Sequence, residues 1–219
     1  MSITFRGDTL IINKVAMISV ITGDIIGSQK TNPKRWLKFL KRELDAIGEN
    51  PKFWEIYRGD SFQAVIAKPA DALKIAIKIK ASLKTIRDID VRMAIGIGDR
   101  SYNANRVTES NGSAFIHSGE KFEMLKAQKQ NLAIKTDWPE FDKEINLLLK
   151  LSLIAMDNWT SNAAEIVKIT MENPGKVQEE LGKIVGIKQN AISKRLKGAY
   201  YDEIMEMNDM YEYKLKLLK

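Results

Sequence analysis

The alternation of apolar and polar residues divides the first half of the chain into strands and helices. A continuous β-branched run, AMISVITG, predicts a buried central strand. Helical spacing of apolar residues and short alternating runs supply the other elements. The pattern predicts a strand, a helix, two strands, a helix and a strand, at residues 16–23, 32–47, 53–58, 61–67, 70–87 and 90–98. This β-α-β-β-α-β order is the ferredoxin-like split βαβ pattern.

The second half of the chain is mostly helical. We expect helices at 113–128, 139–157, 161–173 and 202–218, a short strand at 132–136, and two short helices at 177–185 and 188–197. The fold class is therefore α+β, with an all-α C-terminal part. The expected organisation is an extension or short edge strand (1–16), an α+β domain (17–157) and a helical domain (158–219). The lysines of the 70–87 helix (Lys74, Lys78, Lys80 and Lys84) are expected on its solvated face.

The two short helices meet at Gly186, where a tight turn needs a residue that tolerates positive φ. Gly182 lies one helical turn earlier, where a larger side chain would push the helices apart. The residues expected to face inward are Leu181, Ile184 and Val185, then Ile187, Ala191, Ile192 and Leu196. This arrangement resembles the DNA-binding helix-turn-helix of the phage Cro and repressor families, which implies that the second helix reads double-stranded DNA.

The outer face of the second helix has no acidic residue. The residues expected to contact DNA are Lys188, Gln189, Asn190, Ser193, Lys194, Arg195 and Lys197. Gln and Asn pair with adenine edges, Arg and Lys with guanine edges, and Lys or Ser with phosphates. The alternative is an ordinary helical hairpin with a solvated basic face.

Composition excludes several kinds of site. The 219 residues are 44% hydrophobic and 29% charged, which is typical of a globular protein with a core. With no cysteine and one histidine (His117), disulfides, thiolate metal sites and multi-histidine metal centres are excluded. No apolar run reaches membrane-spanning length, so a cytoplasmic protein is expected. The net charge is +7, but residues 158–219 contain ten Lys+Arg and nine Asp+Glu, a net of +1. Only the local basic face therefore indicates DNA.

A second candidate site lies at the end of the first strand. Asp24 follows the buried run, and Asp60 lies at the predicted hairpin tip. Two such carboxylates suit Mg²⁺ or Mn²⁺ with a phosphorylated, nucleotide-like ligand, and Gly27 and Ser28 offer backbone amides to a phosphate. The alternative is structural: Asp24 caps the following turn and Asp60 belongs to a hairpin.

The DIIGS segment at 24–28, the Gly59–Asp60 pair, VRMAIGIG at 91–98 and GSA at 112–114 resemble class III nucleotidyl cyclases. That resemblance covers residues 17–125 and implies two aspartates holding metal ions on a triphosphate. The cyclase positions for a ribose-orienting Asn and a transition-state Arg hold Ile116 and Glu120 here, which disfavours cyclisation. Taken whole, the chain resembles the SatD-like bacterial proteins.

These patterns favour a DNA-binding transcriptional regulator with a cyclase-like sensor or dimerisation domain. A homodimer is expected because paired half-sites supply DNA affinity. One alternative is a metal-dependent nucleotidyl or phosphoryl transferase using Asp24 and Asp60. Another is a protein-interaction module whose helix pair binds protein.

Overall fold

The computed structural model describes residues 3–6, 9–12 and 17–218. Two short strands, β1 (Ile3–Arg6) and β2 (Thr9–Ile12), pair antiparallel with each other. The expected N-terminal edge strand thus pairs within the N-terminal segment and not with the larger sheet. The rest of the segment predicted as an extension (residues 1, 2, 7, 8 and 13–16) lies outside the described residues.

A mixed five-stranded sheet forms the centre of this α+β protein. Its strands are β3 (Ile18–Ile26), β4 (Trp54–Tyr57), β5 (Ser61–Ile66), β6 (Asp90–Gly98) and β7 (Leu132–Lys135). They lie side by side in the order β4-β5-β3-β6-β7, with every neighbouring pair antiparallel except β6 and β7. The β-branched run thus became the middle strand, where Val20 and Ile21 are fully buried.

Helices cover both faces of the sheet. On one face, α1 (Pro33–Asp45) and α2 (Ala72–Lys84) pack on a cluster that includes Ile21 and Ile25. On the other face, α3 (Ser113–Gln128) packs its first turn on Val20. The glycines late in β6 permit this approach, because a Cβ on Gly96 would lie 2.1 Å from the Ala114 carbonyl oxygen.

The remaining helices extend the layer formed by α1 and α2. They are α4 (Pro139–Met156), α5 (Ser161–Glu172), α6 (Gln178–Val185), α7 (Gln189–Gly198) and α8 (Tyr201–Leu217). Buried residues of α5 and α8 belong to the same apolar cluster as the sheet and α2. The turn between α4 and α5 falls at the proposed 157/158 boundary, but residues on its two sides share one core.

The solvated lysine face expected for α2 is wrong at Lys80, which is fully buried, and at Lys84, whose side chain is only 10% exposed. Lys80 Nζ lies 2.7 Å from Asp90 Oδ1 and 2.6 Å from Asp157 Oδ1. Lys84 Nζ joins the group, 3.0 Å from Asp90 Oδ2. The reason is that α2 is enclosed on more than one side, by β6 and by the end of α4, whereas Lys74 remains exposed. None of the helices in the described residues is long and apolar enough to cross a bilayer.

Candidate functional site

The hairpin of α6 and α7 turns at Gly186, whose backbone is left-handed (φ 76°, ψ 28°). The amides of Gly186 and Ile187 donate to the Gly182 carbonyl at 2.8 and 3.0 Å, which ends α6. A Cβ on Gly182 would lie only 2.6 Å from the Ile187 carbonyl oxygen. Both glycines are therefore needed for the sharp turn, one for its conformation and the other for close packing.

A small apolar cluster holds the hairpin against α5. Leu181, Ile192 and Leu196 are buried there with Ile166, and Ile187 packs against them. The inward placement expected for Ile184 is wrong, since its side chain is 51% exposed. The α6 face that meets α7 is set by Gly182, and Ile184 lies two residues, or about 200°, further around the helix.

The exposed face of α7 carries six of the seven residues predicted to contact DNA. These are Lys188, Gln189, Asn190, Ser193, Lys194 and Lys197. The positive end of the helix dipole adds to this basic face at the α7 N-terminus. The seventh residue, Arg195, is half-buried, and its Nη1 lies 3.9 Å from Glu165 Oε2 of α5. It follows that Arg195 contributes less to the outer face than the spacing indicated.

The acidic residues predicted as a metal site lie at one corner of the sheet, but each has a partner. Arg92 donates from Nε to Asp24 Oδ1 at 3.1 Å and from Nη2 to Asp24 Oδ2 at 2.5 Å. The two residues are direct cross-strand partners on β3 and β6. The Arg92 guanidinium also lies over the Phe122 ring of α3, 5.5 Å from its centroid.

Asp60 lies in the turn that precedes β5. Its Oδ2 accepts a hydrogen bond from Ser28 Oγ at 2.6 Å, and its carbonyl accepts one from the Ile25 amide at 3.1 Å. Gly27 is left-handed (φ 80°), and a Cβ there would lie 2.2 Å from the Asp88 carbonyl oxygen. The DIIGS segment thus ends β3 at Ile26 and begins the tight turn that follows it, with Ser28 bound to the hairpin.

These contacts do not fit a divalent cation as they stand. Both carboxylate oxygens of Asp24 are engaged by Arg92, and the guanidinium supplies the positive charge that a metal ion would otherwise provide. Among the described residues, no group of three or more acidic or histidine side chains has metal-binding geometry.

Strand register adds residues that sequence reasoning missed. Tyr57, Ser61, Asp24 and Arg92 are successive partners across β4, β5, β3 and β6, so they share the sheet face on which α3 lies. Burial raises the pKa of Tyr57. The Arg58 cation opposes that effect, and the nearby carboxylates of Asp24 and Glu123 add to it. The available signal was Arg92, a charge that lies between the apolar residues Val91 and Met93 near the start of the strand.

The two α3 residues that depart from the cyclase pattern, Ile116 and Glu120, face solvent. Ile116 is exposed, and the exposed Glu120 carboxylate pairs with Lys135 Nζ. His117, by contrast, is buried, and its Nδ1 is 2.8 Å from the Ile97 carbonyl oxygen. His117 therefore ties α3 to β6.

Comparison with known proteins adds a family and a distant structure. A model described as the SatD family matches residues 17–204. The active GGEEF domain of a diguanylate cyclase from Vibrio cholerae has 15% sequence identity and a TM-score of 0.38, over 55% of this chain and 82% of that chain. Among curated proteins, none matches the sequence significantly.

Proposed function

The chain belongs to the SatD family, and we propose that it is a DNA-binding transcriptional regulator. In this proposal α6 and α7 form a helix-turn-helix, and α7 is the recognition helix. One observation carries the proposal: the left-handed Gly186 and the closely packed Gly182 hold α7 against α6 so that its basic, acid-free face is exposed. A recognition helix presents such a face to the major groove.

The exposed side chains of α7 divide into two roles. Gln189 and Asn190 lie in its first turn, where a recognition helix contacts base edges. Lys188, Lys194 and Lys197 provide phosphate contacts. Because residues 158–219 have a net charge of only +1, this local face, and not the overall charge of the helical part, provides the electrostatic attraction.

The proposal includes a homodimer, with the α+β part as a cyclase-like, ferredoxin-like sensor or dimerisation domain. Along the sheet the strands lie in the order β4, β5, β3, β6. This order supports the fold assignment, because in a split βαβ unit one other strand lies between the two strands that a helix connects. An apolar stripe on α4 supports contact with a second copy of the chain. Its residues Leu147, Leu151 and Ile154 are all more than half exposed. Exposed stripes of this kind mark contacts with other chains.

The metal-dependent transferase is not favoured by the observed contacts. It would need Asp24 to exchange the Arg92 guanidinium for a cation, and Asp60 to release Ser28. A protein-interaction role for α7 is the alternative outcome of the DNA experiment.

The salt dependence of DNA binding tests the proposal. We expect the Lys194→Ala/Lys197→Ala double variant to bind a mixed-sequence duplex more weakly. The slope of log K against log salt should fall by about 0.9 for each lost phosphate contact. Lys216→Ala, an exposed lysine of α8, is the matched control and should keep the wild-type slope. An unchanged slope in a folded double variant would overturn the DNA-binding assignment.

A further inference from the structure

A cleft of about 820 Å³ lies between the end of α4, the start of α5, the end of α7 and the start of α8. Small-molecule sites in proteins commonly span this size and are mostly apolar with a few polar groups. The cleft is separate from the acidic corner and from the exposed face of α7. It shares Arg195 with the set predicted to contact DNA, and Leu151 and Ile154 with the exposed stripe of α4.

Aromatic and aliphatic side chains form much of the wall. Trp159 is buried at the base, with its Nε1 donating to the Ala199 carbonyl at 2.9 Å, and Leu151 and Ile154 stand exposed at the rim. Tyr200 is 54% exposed, and its backbone is in the left-handed conformation (φ 55°). A bulky residue seldom adopts that conformation, so the turn holds an aromatic ring beside the cleft at a cost in free energy.

Two charged side chains line the cleft, Arg195 and Glu203, and they differ in exposure. Arg195 is half-buried, and within the described residues its one acidic neighbour closer than 4 Å, Glu165, is at 3.9 Å, beyond hydrogen-bond distance. Its guanidinium donors are therefore available for a ligand. Glu203 also lines the cleft but is exposed, so water solvates its carboxylate. A partly buried guanidinium with free donors favours an anionic group.

We propose that this cleft binds a small aromatic molecule bearing an anionic group, with the ring between the apolar walls and the anion at Arg195. Binding would act on α7, because Arg195 belongs to that helix and Trp159 is bonded to the residue that ends it. This regulatory step rests on the proposed DNA function, whereas the binding site itself does not.

Two dyes that differ only in the anion test the site on the full chain. Anilinonaphthalenesulfonate carries a sulfonate, and phenylnaphthylamine has the same rings without it. We expect Arg195→Gln to weaken binding of the sulfonate dye roughly tenfold and to leave the neutral dye unchanged. Lys197→Gln, on the same helix but outside the cleft, should bind both dyes as the wild type does.

Two further variants test the cleft itself. Ala155→Trp should weaken binding of both dyes by occupying part of the cleft, and Tyr200→Ala, at an exposed position, should also weaken both. Circular dichroism and the unfolding midpoint check that each variant folds. Equal sulfonate-dye binding by the wild type and folded Arg195→Gln would overturn the anion assignment, and undiminished binding by Tyr200→Ala would overturn the site.

The regulatory step has its own measurement. At a concentration equal to its wild-type Kd, the sulfonate dye should change the duplex affinity of the wild type clearly and that of Arg195→Gln much less, because the variant binds the dye roughly tenfold more weakly and its cleft stays mostly empty. The coupling is tested once the dye is shown to bind at the cleft and Lys194→Ala/Lys197→Ala is shown to lose DNA affinity. If the dye then does not alter DNA binding by the wild type, the coupling is refuted. If DNA binding itself is absent while the dye result holds, the proposed function fails and the ligand site stands.

Discussion

At the scale of single residues, Gly182 decides how closely α6 and α7 pack. We expect Gly182→Ala to destabilise the protein by about 1–3 kcal/mol, because the new methyl group would lie 2.6 Å from the Ile187 carbonyl oxygen and the turn would have to move. Chemical denaturation measures the change. Gly198→Ala is the control, because a Cβ at that position on α7 would have no neighbouring atom within 4 Å. That variant should unfold at the same or a slightly higher denaturant concentration, since alanine favours helix.

The residues of the acidic corner also show why the metal site could be predicted only in part from the sequence. Local sequence placed Asp24 just after a buried strand and Asp60 at a turn. Asp60 lies in its turn, whereas β3 continues through Asp24 to Ile26. Local sequence gave no information about Arg92, which is 68 residues from Asp24 and becomes its partner only through strand register. Alternation along a strand predicts the face on which a side chain lies, not the residue beside it. The metal-site prediction depended on that missing partner.

At the scale of elements, periodicity located the helices but not what surrounds them. The helix expected at 139–157 is observed as α4, Pro139–Met156, because the spacing of apolar residues is a local property. For α2, the same pattern left Lys80 on the polar side, and tertiary contacts buried it. Similarly, Arg195 was expected on the outer face of α7 but turns toward α5 and α8.

The buried position of Lys80 predicts a large effect of its removal. Lys80→Ala removes the cation between Asp90 and Asp157, but Lys84 remains paired with Asp90, so the cost should lie near the lower end of the about 3–5 kcal/mol typical of a broken buried pair. Urea unfolding followed by circular dichroism measures this loss. Lys74→Ala, on the exposed side of the same helix, should change stability by less than about 0.5 kcal/mol. Equal effects of the two substitutions would show that the charge group at the α2–β6–α4 junction contributes nothing.

At the scale of the whole molecule, the helical part and the sheet share one core. Buried residues of α5 and α8 lie in the same cluster as the sheet and α2, and Arg42 of α1 pairs with Glu172 of α5 at 2.5 Å. The two-part division was reasonable from the sequence, since a polar turn separates two predicted helices there and only helices are predicted after it. Which surfaces then pack together depends on side chains far apart in the chain, and no local pattern reports it. The shared core implies that sheet and helices unfold together.

Tyr211 of α8 tests this cooperativity. Its ring is fully buried near Phe141, and its hydroxyl donates to the Pro69 carbonyl oxygen at 2.5 Å. Tyr211→Ala should lower stability by about 3–5 kcal/mol, as for other large-to-small core substitutions. Tyr213→Ala, two residues away and 60% exposed, should have little effect.

Calorimetry should show one transition that moves to lower temperature as a whole, because loss of the α8 contacts removes part of the common core. If the variant instead melts in two steps, with the sheet keeping its wild-type midpoint, the helical part is an independent domain and the boundary expected at 157/158 is correct in the thermodynamic sense too.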